Sequence, residues 1–126
     1  KRDGWLIGIS LPEEKEKIMP GLLLLKNTSV ATSGDIYQHL DINGKRYSHI
    51  IDPATGLGIT TQRTVTIITE NGTVSDWLST ACSVLSIDKA LALVKQFKDA
   101  AILITEIKDD HLIQKSSDNF KNYLKN

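Results

Sequence analysis

Asp76 and Thr80 stand four residues apart in the stretch VSDWLSTACSVL, a spacing that stacks two side chains one turn apart on the same helix face. A carboxylate beside a hydroxyl supplies two hard oxygens. That donor set suits Mg²⁺, which takes few protein ligands and fills its shell with water and phosphate oxygens. Asp76 is also expected in the first turn of its helix, where the macrodipole favours negative charge and free N–H groups favour phosphate. The same pair equally suits a plain helix in which Asp76 answers the dipole and Thr80 bonds back to a carbonyl.

A second constellation lies in YSHIIDPATGLG, Tyr47 to Gly58. Along a strand His49 and Ile51 share one face, and Ile50 points to the other, into the core. Pro53 stops the ladder and holds Asp52 extended, and Thr55-Gly56 turns the chain back. An imidazole, a carboxylate and a hydroxyl thus meet in one short loop at a sheet end, an arrangement suited to a ligand. A third candidate is ATSGD, where Thr32 and Ser33 offer donors and Gly34 permits close backbone approach to a phosphate or carbonyl. It reads equally as an ordinary strand end. His39 and His111 lack such company and are expected at the surface.

The elements that must hold these residues follow from pattern. GWLIGISLP reads as a short strand ended by Pro12, EEKEK as a solvated loop, and GLLLLKN and TSVATSGD as β-rich runs, with Leu22 to Leu25 open to a buried-helix reading. YQHLDINGKRYSHII is a hairpin about a type I′ Asn43-Gly44 turn. RTVTIIT is a strand, and Asn71-Gly72 turns the chain out of it. Val74, Trp77, Leu78, Ala81, Cys82 and Leu85 form the apolar stripe of a helix over Val74 to Leu85, with Trp77 in the core. Its opposite side carries Ser75, Asp76, Ser79, Thr80 and Ser83, all short, so that side is expected against something close and polar. A second helix covers Asp88 to Phe97, with Ala90, Leu91, Val94 and Phe97 inward. AAILITEI, a turn at Asp109-Asp110 and HLIQK make a strand pair, and SSDNFKNYLKN reads as a capped amphipathic helix. The sum is an α+β fold with a mainly antiparallel sheet and packed helices.

Composition narrows the function classes. The 126 residues suit one domain, large enough for a real core. Fifteen basic and fifteen acidic residues cancel, which leaves no electrostatic case for nucleic acid or an anionic membrane. No apolar run approaches the ~20 residues of a membrane span. The lone Cys82 excludes an internal disulfide. The start, Lys1-Arg2-Asp3-Gly4, reads as the inside of a longer protein.

SVATSGD, GKRYSHIIDPATGLGI, TVTIIT and VSDWLSTACSVL resemble, in order and spacing, the C-terminal half of the FAD:protein FMN transferases of the ApbE family. DGWLIGISLP and SSDNFKNYL are similar too, so the likeness spans nearly the whole chain. It implies the C-terminal portion of an ApbE-like, T-fold-like domain. It also implies a Mg²⁺-dependent activity that moves FMN from FAD onto a Thr or Ser hydroxyl of a partner flavoprotein, with release of AMP. By resemblance, Asp76 and Thr80 match the metal ligands, and His49 matches a histidine near the diphosphate, a candidate general base. Thr32, Ser33 and Gly34, with Asp52, Thr55 and Gly56, fall on motifs lining the flavin-nucleotide site. The family's N-terminal half, with its glycine-rich segment, lies outside this sequence. The chain is therefore expected to be a fragment, inactive alone if its site is incomplete. A lipid-anchored place on the periplasmic face of the bacterial cell envelope is implied likewise. FAD hydrolysis to FMN and AMP, or a non-catalytic flavin-binding or structural role, remains as an alternative.

Overall fold

The computed structural model describes residues 3–9, 21–34 and 38–125. EEKEK, the Pro12 strand end and Asp35 of the ATSGD stretch lie outside them. The central element is β8 (Gln62–Thr69), buried along nearly its full length. A strand covered on both faces needs a continuous apolar or small-polar run, which TVTIIT supplies. On one side β8 pairs antiparallel with β3 (Ser29–Gly34), and on the other with β9 (Ala101–Lys108), which pairs in turn with β10 (His111–Ser116). Asp109 and Asp110 make the connecting turn with φ of 52° and 60°, a left-handed conformation that aspartate tolerates.

Alternate residues of β8 serve separate cores. Val65 and Ile67, with Ile102 and Ile104, pack against α1 (Gly72–Val84) and α2 (Ile87–Val94) through Leu78, Cys82, Ala90 and Val94. Ile68, Ala101 and Leu103 face the other way, onto Leu23, Leu25 and Phe120. The Leu22–Leu25 run is a strand, β2, with Leu23 and Leu25 buried; it pairs with β1 (Trp5–Gly8). Each fully buried leucine contributes roughly 1.5–3 kcal/mol.

Several boundaries differ from the sequence pattern, each for a local reason. Asn71 caps α1 rather than turning the chain, since its side-chain oxygen accepts from the Thr73 and Val74 amides. The helix therefore starts at Gly72, and Asp76 lies beyond its first turn. α2 begins at Ile87 behind the Ser86 cap and ends at Val94. Phe97 packs from the turn that follows. Trp77 is 44% exposed and meets Phe97 edge-on at 5.7 Å, so it shields the core rim rather than filling the core. The tail is a 3₁₀ helix, Asp118–Tyr123, without a side-chain cap. Ser117 instead spends its hydroxyl oxygen on the Ile102 amide.

Two small hairpins complete the described chain. β4 (His39–Ile42) and β5 (Lys45–Ser48) join through Asn43 and Gly44, with φ of 51° and 75°, the two left-handed positions of a type I′ turn. β6 (Ile51–Asp52) and β7 (Leu57–Gly58) follow.

Candidate functional site

The polar side of α1 does lie against something close. Ser75, Ser79 and Ser83 are buried, and the strand they meet, β3, is itself serine-bearing. Ser29 Oγ lies 2.9 Å from Ser75 Oγ, and Ser33 Oγ lies 2.7 Å from Ser79 Oγ. Only short side chains allow a helix to approach a strand so closely, and buried hydroxyls there must bond each other. The pattern of short residues thus marks a packing seam, with Asp76 and Thr80 at its solvent border.

Asp76 and Thr80 are both exposed. The Thr80 hydroxyl reaches its own helix, with the Asp76 carbonyl at 3.4 Å, and the strand, with Ser33 Oγ at 3.3 Å. No described side chain bonds the Asp76 carboxylate. The described residues hold no cluster of three or more His, Cys, Asp or Glu that could take a metal ion. An unengaged carboxylate with a hydroxyl one turn away fits Mg²⁺, which prefers oxygens and needs few of them from protein.

The three residues of the ATSG strand end part company. Ser33 points to α1, whereas Thr32 Oγ1 lies 3.0 Å from Thr66 Oγ1, on the alternate face of the sheet. A Cβ on Gly34 would stand 3.2 Å from both the Arg63 carbonyl and Thr64 Oγ1, so Gly34 allows this close approach of β3 to β8.

His49 lies just past the end of β5 rather than within a strand. Ser48 N donates to the Ile59 carbonyl and Ile59 N donates to Ile50 O, both at 2.9 Å, so Ser48 to Ile50 spans one residue of the opposite segment. Such a bulge redirects the residue it contains. As the alternation requires, Ile50 is buried and His49 is exposed. The His49 amide and ring Nδ1 both lie 3.1 Å from the Gln38 carbonyl. A ring N–H donated to that carbonyl leaves Nε2 free to accept a proton.

The Asp52–Gly56 turn is closed by its own bonds. Asp52 Oδ1 accepts from Ala54 N at 2.9 Å, and its carbonyl accepts from Gly56 N at 2.8 Å. Thr55 Oγ1 accepts from Leu57 N at 3.2 Å, and Gly56 turns the chain with φ 69°. Pro53 ends the ladder as its chemistry demands.

Two cavities flank this turn. One, of about 670 Å³, is lined by His39, Leu40, Tyr47, His49, Ile51 and Leu57, with Gly56 and Gly58 at its edge. The second, about 390 Å³ and more polar, includes Asp52, Thr55, Arg63, Ser83 and Ser86. Asp76 and Thr80 line neither. His39, expected to be an isolated surface residue, shares the first cavity with His49 and lies 3.9 Å from Asp41; it is the register partner of Ser48, which the hairpin pattern already implied. No sequence pattern marks Arg63. It is 8% exposed and Glu106 is 7% exposed; Arg63 Nε donates to Glu106 Oε2 at 2.7 Å. Its Nη1 also donates to the carbonyls of Cys82, Ser83 and Leu85, closing the C-terminus of α1. Beside it, burial pushes the Cys82 thiol up to about 11, against the lowering pull of the Arg63 charge.

Chain length bounds the backbone separation of Ser33 and Gln38, the residues that contact Thr80 and His49. Ser33 touches Thr80, and Gln38 holds His49. Five residues of chain reach at most about 18 Å.

Comparison with known proteins supplies the remaining constraint. The model of the ApbE family matches residues 1–104. The chain is 35% identical over 119 residues to the FAD:protein FMN transferase of Haemophilus influenzae, covering 93% of this chain and 34% of that protein. Among solved structures, the ApbE protein of Thermotoga maritima superposes with a TM-score of 0.79 at 33% identity, over 97% of this chain and 38% of that one. The flavin transferase ApbE of Vibrio cholerae gives 0.79 at 30%, over 96% and 38%. The chain therefore spans about a third of the length of the curated relatives it matches.

Proposed function

The chain belongs to the ApbE family, and we propose that it is the part of a flavin transferase that grips the FAD diphosphate and activates an acceptor hydroxyl. The observation that carries this reading is the exposed pair of oxygen donors on α1, the Asp76 carboxylate that no described side chain bonds and the Thr80 hydroxyl one turn away. The names of the relatives, FAD:protein FMN transferase and flavin transferase, support the substrate and reaction class.

Asp76 and Thr80 would hold Mg²⁺, whose charge offsets that building on phosphate oxygens as the diphosphate breaks. His49 takes the proton of a Thr or Ser hydroxyl on the acceptor protein through Nε2. The hydroxyl oxygen bonds to the FMN phosphorus, the bond to the bridging oxygen breaks, and AMP leaves with that oxygen and its electron pair. A phosphoester joins FMN to the acceptor. Ser33, Asp52, Thr55 and Gly56 form the surrounding frame, the last three as a turn against the two cavities, while Thr32 and Gly34 hold β3 to β8 behind it. The remaining two thirds of the relatives' length would come from an N-terminal portion of the same polypeptide, and the bacterial cell envelope is the proposed location.

Incubation of the full-length polypeptide with FAD, Mg²⁺ and an acceptor domain tests the reaction. Covalent flavin fluorescence on the acceptor, lost in Asp76→Ala, is expected. AMP release without labelling would instead establish hydrolysis, and FAD binding with neither product a non-catalytic role.

A further inference from the structure

Ser33 touches both hydroxyls that α1 presents at this end of the seam, and the count of protons among them is closed. Ser79 Oγ donates its single proton to the Asp76 carbonyl at 2.8 Å. Ser33 Oγ lies 2.7 Å from Ser79 Oγ, so Ser33 must be the donor in that bond. With its proton spent, Ser33 can only accept from Thr80, whose Oγ1 stands 3.3 Å away. The other acceptor within reach of Thr80, the Asp76 carbonyl at 3.4 Å, already takes the Ser79 proton and, along the helix, the Thr80 amide, so both its lone pairs are engaged. Both acceptors lie toward the protein, so the Thr80 proton points inward and its lone pairs face solvent.

We propose that Ser33 is a positioning residue for the cation pair: it takes the Thr80 hydroxyl proton and thereby turns a Thr80 lone pair outward to a divalent cation. This rests on the reading of Asp76 and Thr80 as cation ligands. A hydroxyl that gives a lone pair to a metal must place its proton elsewhere, and partners of this kind orient ligands throughout metal sites. Ser33 thus belongs to the metal side of the strand end, whereas Thr32 and Gly34 face the other side of the sheet.

Mg²⁺ binding to the full-length polypeptide saturated with FAD, measured by calorimetry without acceptor, tests this. Ser33→Ala should weaken Mg²⁺ binding about 10- to 100-fold. Ser29→Ala removes the equivalent seam contact to Ser75 without touching Thr80. It should lower the urea midpoint yet leave Mg²⁺ affinity unchanged. If Ser33→Ala does not fold, Ser33→Cys keeps a similar size with a weaker acceptor, and weakened binding is again expected. Mg²⁺ affinity within about twofold of wild type in the Ser33 variant that folds would overturn the inference, as would equal weakening by Ser29→Ala. Were Asp76→Ala to leave Mg²⁺ binding intact, the cation reading itself would fail and this inference with it. Loss in Asp76→Ala with no change in Ser33→Ala defeats the inference alone.

Discussion

Along the seam of α1 and β3, serine hydroxyls are spent on one another or on nearby carbonyls. Around His49 the reverse holds: Leu40 is 62% and Leu57 is 59% exposed, and the side chains of the Asp52–Gly56 turn bond to backbone groups of the turn and its next residue. The seam is a closed polar network inside the fold, and a fully satisfied network of this kind holds one geometry. The hairpins form a shallow surface whose apolar side chains gain little from the fold. A site assembled from both would draw rigidity for the cation from the first and open access for a large substrate from the second.

Substitutions should separate the two regions, beginning with the largest effect. His49→Ala should cut acceptor labelling about 10²- to 10⁴-fold, with an unchanged urea midpoint, because the ring is exposed and, among the described residues, its hydrogen bond is to the Gln38 carbonyl. Loss of fold in that variant would erase the distinction. Arg63→Met strips the buried Glu106 of its partner and the end of α1 of its donors, and should cost about 3–5 kcal/mol in urea unfolding. The double change with Glu106→Leu should recover much of that loss. Leu78→Ala, in the core beside the seam, should cost about 2–5 kcal/mol, against about 0.5 kcal/mol or less for the exposed Leu40→Ala; equal costs would mean the hairpins are as tightly packed as the core. Asn71→Ala should cost about 1 kcal/mol through loss of the α1 cap.

The smallest effect is a pH dependence. Burial holds the Cys82 thiol protonated up to about 11, from 9.0 when free. Between those values the unfolded chain sheds the proton and the folded chain keeps it, so this contribution to stability is whole below pH 9 and falls as pH rises toward 11. The stability gap between wild type and Cys82→Ala should narrow over that window, as read by urea unfolding at stepped pH.

Periodicity made much of the fold legible. Continuous β-branched and apolar runs mark β8 and β9, Asn43-Gly44 marks a hairpin, and the apolar stripe marks α1. The run of short polar residues implies a close polar neighbour, and β3 provides it. What stayed hidden depends on contacts far apart in sequence. Arg63 and Glu106 are 43 residues apart, and no local pattern announces a buried guanidinium that closes a helix end. An Asn-Gly pair fits a turn or a helix cap equally, and only the two amides that Asn71 accepts from decide between them. The bulge at His49 likewise depends on Ile59 across the ladder. The candidate residues themselves were visible by type and motif; their grouping, with Ser33 on one face and Thr32 on the other, required the sheet.

The central claim is that α1 presents a cation to the FAD diphosphate, and Mn²⁺ in place of Mg²⁺ reads this directly. With FAD bound to the full-length polypeptide, Mn²⁺ should strongly broaden the ³¹P resonances of the diphosphate in the wild type and leave them sharp in Asp76→Ala. Equal broadening in both would contradict the account, because the ion would then reach the diphosphate without the α1 carboxylate.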